Sequence, residues 1–330
     1  MPRAILENLK KIQSATVLCL GDLMLDRYIY GQASRLSPEA PVPIVTVKRK
    51  TFMPGGLGNV VMNLHSLGAK PLAVGVVGTD QSAQILSDLF SKILGAQAAH
   101  LIKSAQRPTT VKTRVIAGIQ QVVRFDEEWE MPLTEDLATN YQKAVSPLLA
   151  RSGAVAASDY GKGVLSRSFC AWLMEKASQD NLAVVVDPKG ADYGRYRGAT
   201  LVTPNRQELA LATSEDLNGA GQEKLIEVGR KLMEKNDLKN LLITLSEDGM
   251  TLLTCQGQNL HFPAKAREVF DVSGAGDTVV AAMTACLAAG LDLAAGAELA
   301  TLAAAVVVGK VGTATASPNE IIDSLSSPSQ

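Results

Sequence analysis

The stretch DVSGAGDTVV (271–280) sets three small residues, Gly274, Ala275 and Gly276, directly before a carboxylate, Asp277. Small residues ahead of a long Ala-rich helical pattern leave backbone N–H groups open at a helix N-terminus, where the dipole favours an anion. The same field would hold Asp277 ionised. A carboxylate beside bound phosphoryl groups can accept the proton of an attacking hydroxyl. An aspartate after a glycine turn is equally a plain helix N-cap. Within this stretch the two readings stand level.

Three other stretches carry comparable chemistry. In TPNRQEL (203–209), Asn205 and Glu208 lie three residues apart and share a face at a helix start. They could hold Mg²⁺ through water, since that ion keeps most of its hydration shell; they could also form a capping box. In PGGLGNV (54–60), Gly55, Gly56 and Gly58 permit close backbone approach, and Asn59 offers a donor and an acceptor. No Gly-Lys-Ser/Thr follows, so this is not a P-loop. Asp22 and Asn59 together suit the vicinal hydroxyls of a sugar. Lys162 in SDYGKG and Lys189 in VDPKG could each meet a phosphate as a point charge, although exposed lysines are mostly solvated surface.

Short apolar runs position these residues. TVLCLGD (16–22), PLAVGVVG (71–78), AVAASDYG (154–161), LAVVVDPK (182–189), TLVTPN (200–205) and LLITLSEDG (241–249) read as buried strands. Helical patterns separate them, which predicts an α/β fold with a mainly parallel sheet covered on both faces. Ligands bind such sheets at the carboxyl ends of the strands, where Asp22, Asp159, Asp187, Asn205 and Ser246 fall. Two segments break the pattern. Residues 27–52 carry Pro38, Pro41 and Pro43, and residues 108–125 alternate β-branched and polar positions around Ala117-Gly118. They predict a small β-sheet projecting from one domain over 1–330.

Composition excludes several classes. The 330 residues are 46% hydrophobic and 20% charged with a net charge of −1, so nothing attracts nucleic acid or an anionic membrane at long range. Cys19, Cys170, Cys255 and Cys286 are scattered, as are His65, His100 and His261, so no zinc spacing exists. The cysteines read as buried or half-buried thiols of a reducing, cytoplasmic compartment. The N-terminus reads as an amphipathic helix leading into a strand, without a signal-peptide core. The final LSSPSQ reads as a frayed tail.

In combination, the Gly-Gly loop with Asn59, the NxxE stretch at 205–208 and DVSGAGDT resemble the ribokinase-like (PfkB) carbohydrate kinases, in that order along the whole chain. The resemblance implies a ribokinase-like fold whose projecting sheet is a lid, and transfer of phosphate from ATP with Mg²⁺. It implies Asp277 as general base, with Gly274, Ala275 and Gly276 donating N–H groups to the transferred phosphoryl group. Asn205 and Glu208 would orient Mg²⁺ and the ATP phosphates. Thr244, Ser246 and Gly249 would form the nucleotide turn, and Lys310 to Thr313, including Gly312, would enclose adenine. Asp22, Gly55, Gly56 and Asn59 would bind sugar hydroxyls, and Lys162 and Lys189 the substrate's phosphate, with Arg114 or Arg124 as alternatives. Ser273 stands where many members have threonine. Several relatives hold a monovalent cation such as K⁺, whose ligands the resemblance does not place here.

Within the family, GDLMLDRYIYGQASRLSPEAPVPIV, SDYGKGVL, VVDPKG, YRGATLVTPN and VVVGKVGTATASP are similar to members acting on D-glycero-β-D-manno-heptose 7-phosphate. That branch phosphorylates the anomeric hydroxyl on the route to ADP-heptose and the lipopolysaccharide core. It is often fused to an adenylyltransferase, but no HxGH motif occurs here. The expectation is therefore a stand-alone kinase or a piece ending at a domain junction, working with a separate adenylyltransferase. Pairing of lids predicts a homodimer. A kinase for another sugar, such as fructose 6-phosphate or ribose, is the alternative; a non-catalytic sugar or nucleotide sensor has no need of Asp277.

Overall fold

The computed structural model describes residues 2–95, 99–266 and 269–326; residues 327–330 of the expected tail lie outside them. The first half of the chain runs α1 (Pro2–Ile12), β1 (Thr16–Gly21), β2 (Leu23–Leu36), β3 (Pro43–Gly56), α2 (Leu57–Ser66), β4 (Lys70–Val77), α3 (Gln81–Leu94), β5 (Ala99–Lys103), β6 (Thr110–Ala117), β7 (Gln120–Glu127) and α4 (Glu135–Leu149). It continues through β8 (Ala154–Ser158), α5 (Arg167–Gln179), β9 (Ala183–Asp187), β10 (Leu201–Val202), α6 (Arg206–Thr213), α7 (Gln222–Asn236) and β11 (Leu241–Thr244). The last part holds β12 (Met250–Leu253), β13 (Asn259–Phe262), α8 (Ala275–Ala288), α9 (Leu293–Val308) and α10 (Pro318–Ser326).

Nine strands form the main sheet in the order β13-β12-β11-β10-β9-β8-β1-β4-β5. All pairs from β5 across to β11 are parallel, and β12 and β13 close one edge antiparallel. Alternation along β1 explains the two-faced burial. Val17 and Cys19 enter the core shared with α1, α2, α8 and α9, while Leu18 and Leu20 enter the one shared with α4, α5 and α7. Ile5, Leu9 and Ile12 form the apolar stripe of α1 and are fully or almost fully buried.

The chain leaves the end of β1 through Gly21 and Asp22 directly into β2. Gly21 has φ +135°, and a Cβ there would run into the Ser158 carbonyl at the end of β8. Only glycine lets these two strand ends meet. The second sheet, β3-β2-β6-β7, pairs β2 with β3 and β6 with β7 antiparallel, and β2 with β6 parallel. Its strands take up most of the two expected projecting segments, with Pro38 and Pro41 in the connection between β2 and β3; β2 starts deeper, at Leu23, because Leu23, Met24 and Leu25 are buried.

Some expectations change. The 241–249 run is a strand only to Thr244, since Leu245 and Gly249 close a turn with Ser246 at φ +53°. Cys19, Cys170 and Cys286 are buried as expected, but Cys255 is exposed, in a turn between β12 and β13. Among the described residues no helix is long and apolar enough to cross a membrane.

One buried side chain pins the strand ends at the site. The Tyr141 hydroxyl on α4 donates to the Val74 carbonyl (2.8 Å) and accepts the Gly21 N–H (3.1 Å). Tyr141→Phe would leave both backbone groups buried without a partner. The expected loss is about 1–3 kcal/mol, read as a lower urea midpoint with an unchanged slope; an unmoved midpoint would contradict it.

Candidate active site

Asp277 lies in the first turn of α8 and is buried. Its Oδ2 accepts from the Asn59 amide (2.8 Å) and its Oδ1 from the Tyr160 hydroxyl (2.9 Å). Asn59 is oriented in turn: its Oδ1 accepts from Asn63 (3.3 Å), whose own Oδ1 accepts from the Thr278 hydroxyl (2.9 Å). Burial raises the Asp277 carboxyl to about 6, the hydrogen bonds from Asn59 and Tyr160 oppose the rise, and nearby Asp26 adds to it. A carboxylate tuned this way is mostly ionised at neutral pH yet still a useful proton acceptor.

The N-cap reading of this stretch fails in detail. The cap residue is Gly274, at φ +82°, and no side chain caps the helix. A Cβ at Gly274 would meet the Asn59 amide at 2.4 Å, so the glycine keeps Asn59 on the carboxylate. The Ala275 N–H is taken by the Val272 carbonyl and the Thr278 N–H by that of Gly274. Among the described residues no carbonyl takes the N–H of Gly276 or Asp277. These two, rather than Ala275, are the open donors for an anion.

Beside them is a cavity of about 170 Å³ lined by Asp159, Tyr160, Asp187, Lys189, Asn205, Glu208, Thr244, Gly274, Gly276 and Asp277, among others. It admits a terminal phosphate and a hydrated ion rather than a whole nucleotide. Asn205 and Glu208 form the capping box of α6, the Asn205 side chain accepting from the Glu208 N–H and Glu208 from the Asn205 N–H. The other Glu208 oxygen meets Lys189 at 3.2 Å. Lys189 thus stands on the NxxE side of the cavity. Asp187, expected at a strand end where ligands bind, has no hydrogen bond to its carboxylate among the described residues. Burial first, then Asp277 and Glu208, push it well above the usual carboxylate range. Carboxylates facing one small cavity with a single lysine among the described residues call for a further cation. The described residues contain no cluster of three metal-ligating side chains, so Mg²⁺, which needs few protein ligands, fits this donor set through water.

The other side of Asp277 faces the second sheet. Asp22, expected on sugar hydroxyls, is buried and accepts backbone N–H groups from Tyr160 (2.8 Å), Lys162 (2.9 Å) and Val164 (3.2 Å). It shapes the 160–164 loop and so places Tyr160. Lys162 differs most from expectation. Its Nζ is buried between Glu128 (3.0 Å) and Glu130 (2.9 Å), so it is no free cation for a phosphate. Gly55 lies against the Asp26 carboxylate, and Gly56 against the Asp22 carbonyl. Asp26 holds Arg114 at 2.6 Å, whereas Arg124 pairs with Asp126 further out.

Thr244 lines the cavity, and Ser246 and Gly249 make the turn that follows it. In the 310–313 loop, the Lys310 ammonium is held by the Thr315 carbonyl and Glu320, and the Gly312 N–H donates to Asp271. Thr313 touches Met53 of β3. This loop therefore braces the DVSGAGD turn against the second sheet.

Comparison with known proteins decides the family: the pfkB family carbohydrate kinase pattern matches residues 14–320. The chain belongs to the pfkB family of carbohydrate kinases. It is 44% identical over 322 residues to Bifunctional protein HldE of Paramagnetospirillum magneticum, covering 98% of this chain and 65% of that protein. It is 46% identical over 311 residues to the protein of the same name from Geobacter sulfurreducens, covering 93% and 62%. The chain thus spans just under two thirds of the length of these relatives. Arabidopsis thaliana ribokinase complexed with ribose and ATP superimposes with a TM-score of 0.72 at 17% identity, covering 96% of this chain and 99% of that one. Escherichia coli phosphofructokinase-2 in complex with substrates and products gives 0.76 at 18%, covering 94% and 97%. These likenesses show the ribokinase-like fold.

Sequence reading missed Tyr160 as a partner of Asp277; Asp187 it placed at a strand end where ligands bind, without a role. Tyr160→Phe removes a hydrogen bond that favours the ionised Asp277. Carbon-13 NMR titration of the Asp277 carboxyl is expected to give a midpoint near 6, displaced to higher pH in Tyr160→Phe. A midpoint near the usual 4, or one unmoved by the substitution, would contradict this.

Proposed function

We propose that the chain transfers the terminal phosphoryl group of ATP to the anomeric hydroxyl of D-glycero-β-D-manno-heptose 7-phosphate, giving the 1,7-bisphosphate used in ADP-heptose and lipopolysaccharide core assembly. The observation that carries the transfer chemistry is the buried Asp277 carboxylate beside the open N–H groups of Gly276 and itself. The choice of sugar rests on the stretches similar to heptose 7-phosphate kinases and on the identity with the HldE proteins.

Asp277 takes the hydroxyl proton as the oxygen attacks the γ-phosphorus; the bond from that phosphorus to the bridging oxygen breaks, and ADP leaves. Asn59 and Tyr160 hold the carboxylate in place, so its free lone pairs face the sugar. The Gly276 and Asp277 N–H groups stabilise negative charge on the transferred group. Asn205, Glu208 and Asp187 would hold Mg²⁺ through water, and the ion would neutralise phosphate charge. Lys189, beside Glu208, supplies a positive charge to the nucleotide phosphates. Thr244, Ser246 and Gly249 would bound the nucleotide, with Lys310 to Thr313 near the adenine.

The second sheet acts as a lid that excludes water from the phosphoryl group. Its edges, β3 and β7, expose Val47, Val123 and Phe125. Pairing with a second copy would cover these apolar edges, giving a homodimer. A monovalent cation behind the anion cradle belongs to the same reading.

Asp277→Asn is expected to retain ATP binding and to lose turnover by roughly 10²-fold or more. ADP release measured with heptose 7-phosphate, fructose 6-phosphate, ribose and adenosine tests the substrate. The heptose should turn over best; robust turnover of another sugar with none of the heptose would overturn the substrate reading. Near-normal turnover in the variant would remove Asp277 from the mechanism.

A further inference from the structure

The second sheet presents one face to Asp277, and that face carries an ordered row of cations and rings. Tyr28 of β2 stands opposite both Thr51 and Arg114, Arg114 opposite Arg124, and Tyr30 opposite Arg49. Residues paired across strands share a face, as do alternate residues along one strand. Asp26 therefore lies on this face too, and its charge is felt at Asp277. Next to it come Tyr28 with Arg114, then Tyr30 with Arg49, running away from the base.

The charges on this face are not equally free. Arg114 is held by Asp26, and Arg124 by Asp126. Lys112 sits between Asp126 and Glu128, which with Glu130 also occupies Lys162. Arg49 has no carboxylate partner among the described residues. Its guanidinium lies 4.4 Å from the centre of the Tyr30 ring, and that ring stacks on Tyr28 at 6.3 Å. An arginine held by a ring keeps its N–H fork for a planar or tetrahedral anion.

The spacing suits the substrate. From Asp26 to Tyr30 the strand advances about 13 Å. A seven-carbon sugar with one end at Asp277 would bring its far phosphate within that reach. Neither expected lysine competes for this phosphate, since Lys162 is buried between two carboxylates and Lys189 lies with Glu208 on the nucleotide side.

We propose that Arg49, seated on Tyr30 beyond the Tyr28–Arg114 pair, binds the distal phosphate of the sugar substrate and sets the preference for a sugar phosphate over the free sugar. This rests on the sugar-phosphate kinase reading above. Arg49 touches only the far end of the substrate, so its loss weakens capture without disturbing Asp277.

The test is steady-state kinetics of the full chain with heptose 7-phosphate and with unphosphorylated heptose. Arg49→Gln is expected to lose roughly 10- to 100-fold in kcat/KM for the phosphorylated sugar, mostly through KM, and to keep the wild-type value for the free sugar. Arg49→Lys should recover part of the loss, as a point charge without the fork. Lys50→Gln makes the same charge change on the opposite face and should alter neither substrate. An Arg49→Gln protein that keeps the wild-type preference, or a Lys50→Gln protein that loses it equally, would overturn the assignment and leave the sugar-phosphate reading standing. A wild type that uses both sugars equally well would overturn that reading and this assignment with it.

Discussion

The site depends on one desolvated carboxylate. Asp277 is drawn out of water at the start of α8, and its hydrogen bonds reach two distant parts of the chain, Asn59 on α2 and Tyr160 after β8. Burial alone would drive the carboxyl up until it held its proton and could take no other. The amide and the phenol limit that rise, leaving it at about 6. The same two bonds fix geometry, because Asn63 and Thr278 hold the Asn59 amide with its N–H₂ group on Asp277.

Placing that carboxylate imposes demands elsewhere. The N-terminus of α8 must come close to the sheet, and the mostly small side chains after Asp277, Val, Ala, Thr and Cys with one Met, all buried through Cys286, allow this. Asp159, Asp187, Glu208 and Asp277 then face a single cavity whose only cationic lining residue, among those described, is Lys189. Such a site binds a polyphosphate well only together with a cation. On the opposite wall Arg114 and Arg124 are held by Asp26 and Asp126, and Arg49, further from Asp277, has no carboxylate partner among the described residues. In the proposed reaction, nucleotide and sugar approach one base from two differently charged sides.

Much of this was legible in the sequence because it is local. Apolar runs marked β1, β4, β8 and β9, and the stretches at 205–208 and 274–277 stood out by spacing within a few residues, each with a capping reading beside the functional one. Interactions across long separations left no such mark. Tyr160 is one tyrosine in SDYGKG, and nothing in that stretch points to Asp277, 117 positions away. Lys162 resembled a free strand-end cation because its partners, Glu128 and Glu130, follow β7 in a segment without periodicity. Asp22 resembled a hydroxyl ligand because the backbone N–H groups that occupy it belong to no side-chain pattern. The strands β12 and β13 are four residues each, too short for alternation to distinguish them from turns. The capping box at Asn205 and Glu208 did form, and both residues line the cavity as well, so the capping reading does not displace the functional one.

The central claim is that Asp277 works as a base whose acidity is set by burial against two hydrogen bonds. The most direct measurement is the pH dependence of kcat/KM for phosphoryl transfer between pH 5 and 8. Only the ionised carboxylate accepts the proton, so activity should fall as pH drops, along a single-proton limb with a midpoint near 6. A profile flat through this range, or a limb centred near the usual 4, would contradict the account.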